Sequence, residues 1–109
     1  SKQKKIFTDL LKKLKLNIIE STPAEHDKQM ARSQALVHFI GRSLSVLKLK
    51  EQKISTPDYS SLLRMNTMVQ NDTWQLFFDM QKYNPYSTKI RKIFLNELKQ
   101  LENKIGKYE

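Results

Sequence analysis

All three prolines of this chain stand where a helix must begin or end, and the segments between them carry helical periodicity. Thr22-Pro23-Ala24-Glu25 joins a hydroxyl cap, a proline at the first helical position and a glutamate three residues after the cap. Thr56-Pro57-Asp58 repeats the cap-then-proline signal. Asn84-Pro85 stops a helix, because the residue before a proline avoids the helical region. With only two glycines in 109 residues, little else interrupts the chain, and an all-α fold follows.

The apolar spacing fills in the elements. Ile6, Phe7, Leu10, Leu11 and Leu14 share one face of a helix from Lys4 to Leu14. Asn17-Ile18-Ile19-Glu20 is short and β-branched, which predicts a strand. One helix and one strand cannot form a sheet alone, so residues 1–21 are expected to be the end of a larger α/β domain. From Thr22 a long helix is predicted to about Leu49, with Met30, Leu36, Val37, Ile40, Leu44 and Leu47 on its apolar face and Gly41 inside it. That glycine either permits close helix packing or is merely tolerated. A helix carrying Leu62, Leu63, Met65, Met68 and Val69 follows Pro57, and Asn71-Asp72-Thr73 caps another that ends at Tyr83. The last helix, about Ser87 to Ile105, aligns Ile90, Phe94, Leu98, Leu101 and Ile105, with Gly106 as its stop. Residues 22–109 are thus expected to be a domain of about four helices.

A hydrophobic fraction of 39% and a charged fraction of 28% suit helices with wet outer faces. At this size much apolar surface stays uncovered, so a second copy is expected to supplement the core. The net charge of +9 comes from 16 lysines and 4 arginines scattered over outward positions. A nucleic-acid binder more often shows arginine-rich stripes or a sheet of stacking aromatics, so that class is disfavoured. Trp74, Phe77 and Phe78 follow helical spacing and are expected in the core or at a dimer contact. Cysteine is absent, excluding disulfide and thiolate chemistry. No apolar run approaches the roughly 20 residues needed to cross a bilayer, and the expected location is cytoplasmic.

Two glycines make no phosphate-cradling loop, and two histidines without cysteine make no metal cluster. His26 and Asp27 are neighbours whose side chains diverge by about 100° on a helix, so no dyad is expected between them. His26, Met30, Gln34 and His38 recur every four residues along the long helix. Such a strip is either a row of helix-contact hydrogen bonds or the wall of a polar, anion-accepting cleft.

The run from Thr22 through His26-Asp27 to Ala31, followed by Gln34-Ala35-Leu36 and His38-Phe39, resembles the prephenate and arogenate dehydrogenase family where its dinucleotide domain meets its helical domain. Its most specific part is the His-Asp pair at the right distance from Gln-Ala-Leu-x-His-Phe. Ser55-Thr56-Pro57-Asp58-Tyr59 and Met80-Gln81-Lys82-Tyr83-Asn84-Pro85 add a helix start and a Gln-x-x-Asn-Pro element, so that the resemblance covers nearly the whole chain. It implies a helical C-terminal dimerisation and substrate-binding domain, with His26 at the domain junction and Gln34 and His38 lining the pocket for prephenate or arogenate. In the family, oxidative decarboxylation passes a hydride to NAD or NADP, while a histidine of the dinucleotide domain takes the hydroxyl proton. No catalytic or cofactor-binding residue is therefore expected within these 109 residues, and the chain alone is expected to bind no cofactor and to be inactive.

One departure stands out. The family's substrate-carboxylate arginine aligns with Thr67, and Arg64 lies one turn away on roughly the same face. Arg64 is accordingly a candidate replacement; a solvated surface charge is the alternative. Two further classes compete with a homodimeric dehydrogenase domain: a basic helical module binding nucleic acid, and a helical chorismate mutase. The second needs several cations converging on one dicarboxylate, whereas the four arginines are spread over different helices.

Overall fold

A computed structural model describes residues 2–13 and 22–109. The expected strand Asn17-Ile18-Ile19-Glu20 lies outside the described residues. The regular elements among them are all helical: α1 (Lys2–Lys13), α2 (Pro23–Met30), a π turn (Ala31–Leu36), α3 (Val37–Ser43), a 3-10 turn (Leu44–Leu47), α4 (Pro57–Val69), α5 (Trp74–Tyr83) and α6 (Ser87–Tyr108). No helix of the described residues is long and apolar enough to cross a membrane.

The expected starts are realised by their own side chains. Thr22 Oγ1 accepts from Glu25 N at 3.1 Å and Glu25 Oε2 accepts from Thr22 N at 3.3 Å, closing a capping box. Thr56 and Thr73 cap α4 and α5 by accepting from Tyr59 N and Leu76 N. Asn84 is extended (φ −97°, ψ 112°), as the following proline requires.

Elements α2 to the 3-10 turn form one long rod, but it is not uniform α-helix. The π turn inserts wider hydrogen-bonded rings in mid-course, a feature that apolar spacing does not encode. The rod ends at Lys48, which adopts the left-handed conformation (φ 51°) and donates its N–H to Ser45 O. The expected stop at Gly106 is not used. That glycine meets no other group within 4 Å, its φ is not positive, and α6 continues through it to Tyr108, since glycine within a helix costs only about 1 kcal/mol.

The core begins where α3 crosses α4. Gly41 is buried there, and a Cβ on it would stand 2.7 Å from Met65 O and 3.2 Å from a Val69 methyl, so its role is close approach rather than tolerance. Asn66, 1% exposed, fastens the crossing: its Nδ2 donates to Gly41 O at 2.8 Å and Ser45 Oγ at 2.9 Å, and its Oδ1 accepts from Gln70 Nε2. At the other end the π turn packs on α5 and α6. Gln81 Nε2 donates to Ala35 O at 2.8 Å and Asn84 Nδ2 to Asp27 O at 2.8 Å, so the Gln-x-x-Asn-Pro element grips the rod at two points about two turns apart.

The fold leaves much apolar surface open. The accessible area is 9508 Å² against roughly 6,300 Å² for a compact monomer of 12.9 kDa. Its radius of gyration is 18.0 Å where about 13 Å would be compact. Trp74, Leu76, Phe78, Ile93, Leu98 and Ile105 are all about half exposed. Trp74 and Phe78 stack at 5.7 Å, and Phe77 meets both. Two of the three aromatics expected in the core or at a dimer contact are therefore open on this chain.

Candidate functional site

The π turn changes how the four-residue row along the rod presents its side chains. In an α-helix each step of four residues drifts by about +40°, whereas at the ~4.4 residues per turn of a π-helix the same step falls short by about 30°. The two drifts offset each other. His26 and Met30 on α2, Gln34 in the π turn and His38 on α3 are thereby held closer to one line than an unbroken α-helix would allow.

His38 is partly enclosed. Its Nδ1 lies 3.4 Å from Asp72 Oδ2, with the side chains 16% and 29% exposed. Asp72 sits in the turn between α4 and α5, where its N–H donates to Val69 O. Arg42, four residues beyond His38, completes this corner: its Nη2 donates to the carbonyls of Asp72 and Thr73, and its guanidinium lies 4.1 Å from the Trp74 ring centre and 5.2 Å from that of Phe77. Sequence reasoning missed Arg42 although the spacing pointed to it, since the row 26, 30, 34, 38 reaches 42 at the next step. Its Nε is buried without a hydrogen-bond partner among the described residues.

His26 and Arg64 are more open. His26 Nδ1 comes within 3.4 Å of Asp27 Oδ1, so the two do meet, contrary to the expectation from their diverging Cβ directions; rotation about χ1 and χ2 closes the gap. At 65% and 42% exposure the contact is worth little. Gln34 is half-buried. Arg64 is exposed and lines a depression of about 470 Å³ with Thr67, Tyr59, Leu63 and Glu51, but His26, Gln34 and His38 do not line it. Arg64 and Thr67 thus share one hollow, as their spacing implied, and the histidines belong to another part of the surface. Thr67 Oγ1 donates back to Leu63 O at 2.9 Å, and the Tyr59 hydroxyl donates to Lys50 O at 2.6 Å.

No group of three histidine or acidic side chains converges among the described residues. Gly41 is pressed against α4 and Gly106 lies within α6, so neither opens a loop to a pyrophosphate.

Comparison with known proteins agrees with this helical architecture. The family described as TYRAAT1-like, C-terminal domain, matches residues 43–109. Arogenate dehydrogenase 1, chloroplastic, of Arabidopsis thaliana is 33% identical over 79 residues, covering 72% of this chain and 12% of that protein. Arogenate dehydrogenase 2, chloroplastic, of the same plant is 31% identical over 85 residues, covering 78% and 21%. A probable arogenate/prephenate dehydrogenase of Methanocaldococcus jannaschii is 27% identical over 100 residues, covering 85% and 22%. The chain therefore spans less than a quarter of the length of these relatives, and over that span it belongs to the prephenate/arogenate dehydrogenase family as a helical C-terminal domain.

Proposed function

We propose that this chain is the substrate-wall and dimerisation domain of an NAD(P)-dependent arogenate or prephenate dehydrogenase, acting in tyrosine biosynthesis. The observation that carries the reading is the agreement of three relatives named for this activity over most of the chain.

The division of labour follows from the residues present. The resemblance places the glycine-rich cofactor loop and the catalytic histidine in the dinucleotide domain, so no step of hydride transfer is assigned to these side chains. Their work is to hold the substrate. Asp72 beside Nδ1 of His38 favours the tautomer with its proton on that nitrogen, which leaves Nε2 as a hydrogen-bond acceptor toward the substrate. Arg42 fixes the backbone that carries Asp72 and so holds the histidine's partner in place. Gln34 adds an amide one turn earlier, and His26 stands near the domain junction. Arg64 offers a guanidinium to a substrate carboxylate from its own hollow. The open faces of α5 and α6 supply the contact between two copies, with Phe78, Leu98 and Ile105 at its centre.

The test is turnover by this chain joined to the dinucleotide-binding domain of the Methanocaldococcus relative. Reduction of NAD or NADP that depends on arogenate or prephenate, and that neither part achieves alone, is the expected result. A folded, dimeric, cofactor-binding fusion that oxidises neither compound would overturn the proposal.

A further inference from the structure

We propose that the cleft between the π turn and the start of α6 is a binding site for a small carboxylate carrying a ring. The cleft holds about 430 Å³, within the range of ordinary ligand pockets. Lys28, Arg32 and Lys89 stand around it, and no acidic side chain lines it. None of the three cations forms an ion pair among the described residues, and the first turn of α6 carries no acid to offset the positive end of its dipole. The electrostatics of the cleft therefore select an anion.

Its shape selects what the anion carries. Ala31, 1% exposed, and Ile90, half-buried, make an apolar floor with Ile93 at the rim. Tyr86 closes one side, and Lys28 Nζ lies 5.4 Å from the centre of its ring. A bare phosphate would satisfy the cations but leave this floor wet. A ring covers the floor while its carboxylate reaches the rim.

The walls are fixed before a ligand arrives. Asn84 Nδ2 donates to Asp27 O at 2.8 Å on the Lys28 side, and Asn84 Oδ1 accepts from Tyr86 N at 2.9 Å on the other. One side chain thus sets the distance between them. Arg32 projects from the π turn itself, a distortion that proteins favour at functional sites. None of His26, Gln34, His38 or Arg64 lines this cleft, so the inference does not rest on the dehydrogenase reading.

The experiment is a titration of the 109-residue chain with phenylacetate, followed through backbone amide resonances at constant ionic strength. Inorganic phosphate and neutral benzyl alcohol serve as comparison probes. Saturable shifts centred on Lys28, Ala31, Arg32, Tyr86, Lys89 and Ile90 are expected, with a Kd on the order of 1 mM for so few ligand atoms. Both comparison probes should bind about tenfold more weakly. Arg32→Ala with Lys89→Ala should weaken phenylacetate binding about tenfold, Arg32→Lys should restore part of it, and Lys99→Ala on distant α6 should leave it unchanged. Circular dichroism of each variant excludes misfolding as the cause. Shifts spread evenly over the lysine-rich surface, phosphate binding as tightly as phenylacetate, or no saturable shift would each overturn the proposal.

Discussion

Gln81 on α5 donates its side-chain amide to the carbonyl of Ala35 in the π turn at 2.8 Å, across 46 residues of sequence. Its own carbonyl accepts from Arg91 Nη1 at 2.6 Å, and Gln81 is only 8% exposed. A widened turn leaves carbonyls poorly matched to donors within the helix, so this outside donor compensates for the distortion. Replacing Gln81 by Met keeps the volume but strands the Ala35 carbonyl and the Arg91 guanidinium. The expected cost is about 1 to 3 kcal/mol, a fall in Tm of roughly 5 °C or more. A thermal melt within about 1 °C of the parent would show that the π turn does not depend on this bond.

Gly41→Ala tests the α3–α4 crossing. Alanine is the better helix former by about 1 kcal/mol, so propensity alone predicts stabilisation. The 2.7 Å approach of a Cβ to the Met65 carbonyl predicts the reverse, because a backbone oxygen cannot swing aside as a side chain can. Separating the helices should destabilise by about 1 to 3 kcal/mol in urea unfolding. A more stable variant would contradict the crossing as described.

The parts of this architecture written in local chemistry were legible in the sequence, and the parts written in long-range contacts were not. Thr22, Thr56 and Thr73 cap their helices with hydroxyls three residues from the amides they satisfy, a relation visible as a string of letters. The π turn is stabilised by Gln81, far along the chain, and nothing within residues 31–36 announces it. Gly106 fits a stop signal, yet α6 passes through it, because a C-terminal glycine acts as a cap only when the chain turns into the left-handed region. In the candidate site, the four-residue row marked His26, Gln34 and His38, but the partnership of His38 with Asp72 joins residues 34 positions apart and needed the fold. Arg42 lay on that same row, at the next step.

Self-association should follow from the open apolar faces. Leu98 and Leu101 are each 45% exposed on a 22-residue helix whose residues from Leu95 onward are all exposed. Sedimentation of the chain at tens of micromolar should give a dimer, and Leu98→Lys with Leu101→Lys should give monomers with the helical content kept. A parent chain that stays monomeric at hundreds of micromolar would remove the dimer from the proposed function.

Arg64 and Thr67 line one hollow, so exchanging the cation between them is informative. In the enzyme completed by a dinucleotide domain, Arg64→Ala should raise KM about tenfold if its guanidinium receives the substrate carboxylate, the lower end of what a charged hydrogen bond contributes because Arg64 is exposed. Thr67→Arg on that background should recover much of the loss. Values within twofold of the parent for Arg64→Ala would make Arg64 a solvated charge. Activity on prephenate that rises well above the parent in Thr67→Arg would indicate a different natural substrate.

The most direct test of the central claim, that this helical domain forms part of the substrate pocket, is kcat/KM for His38→Ala in the completed enzyme, measured with the preferred of arogenate and prephenate. His38 meets Asp72 at 3.4 Å, and under the proposed function its second nitrogen serves the substrate, so its loss should lower kcat/KM by roughly ten- to a hundredfold. The Kd for NAD or NADP and the dimer mass should not change. A kcat/KM within twofold of the parent would contradict the account.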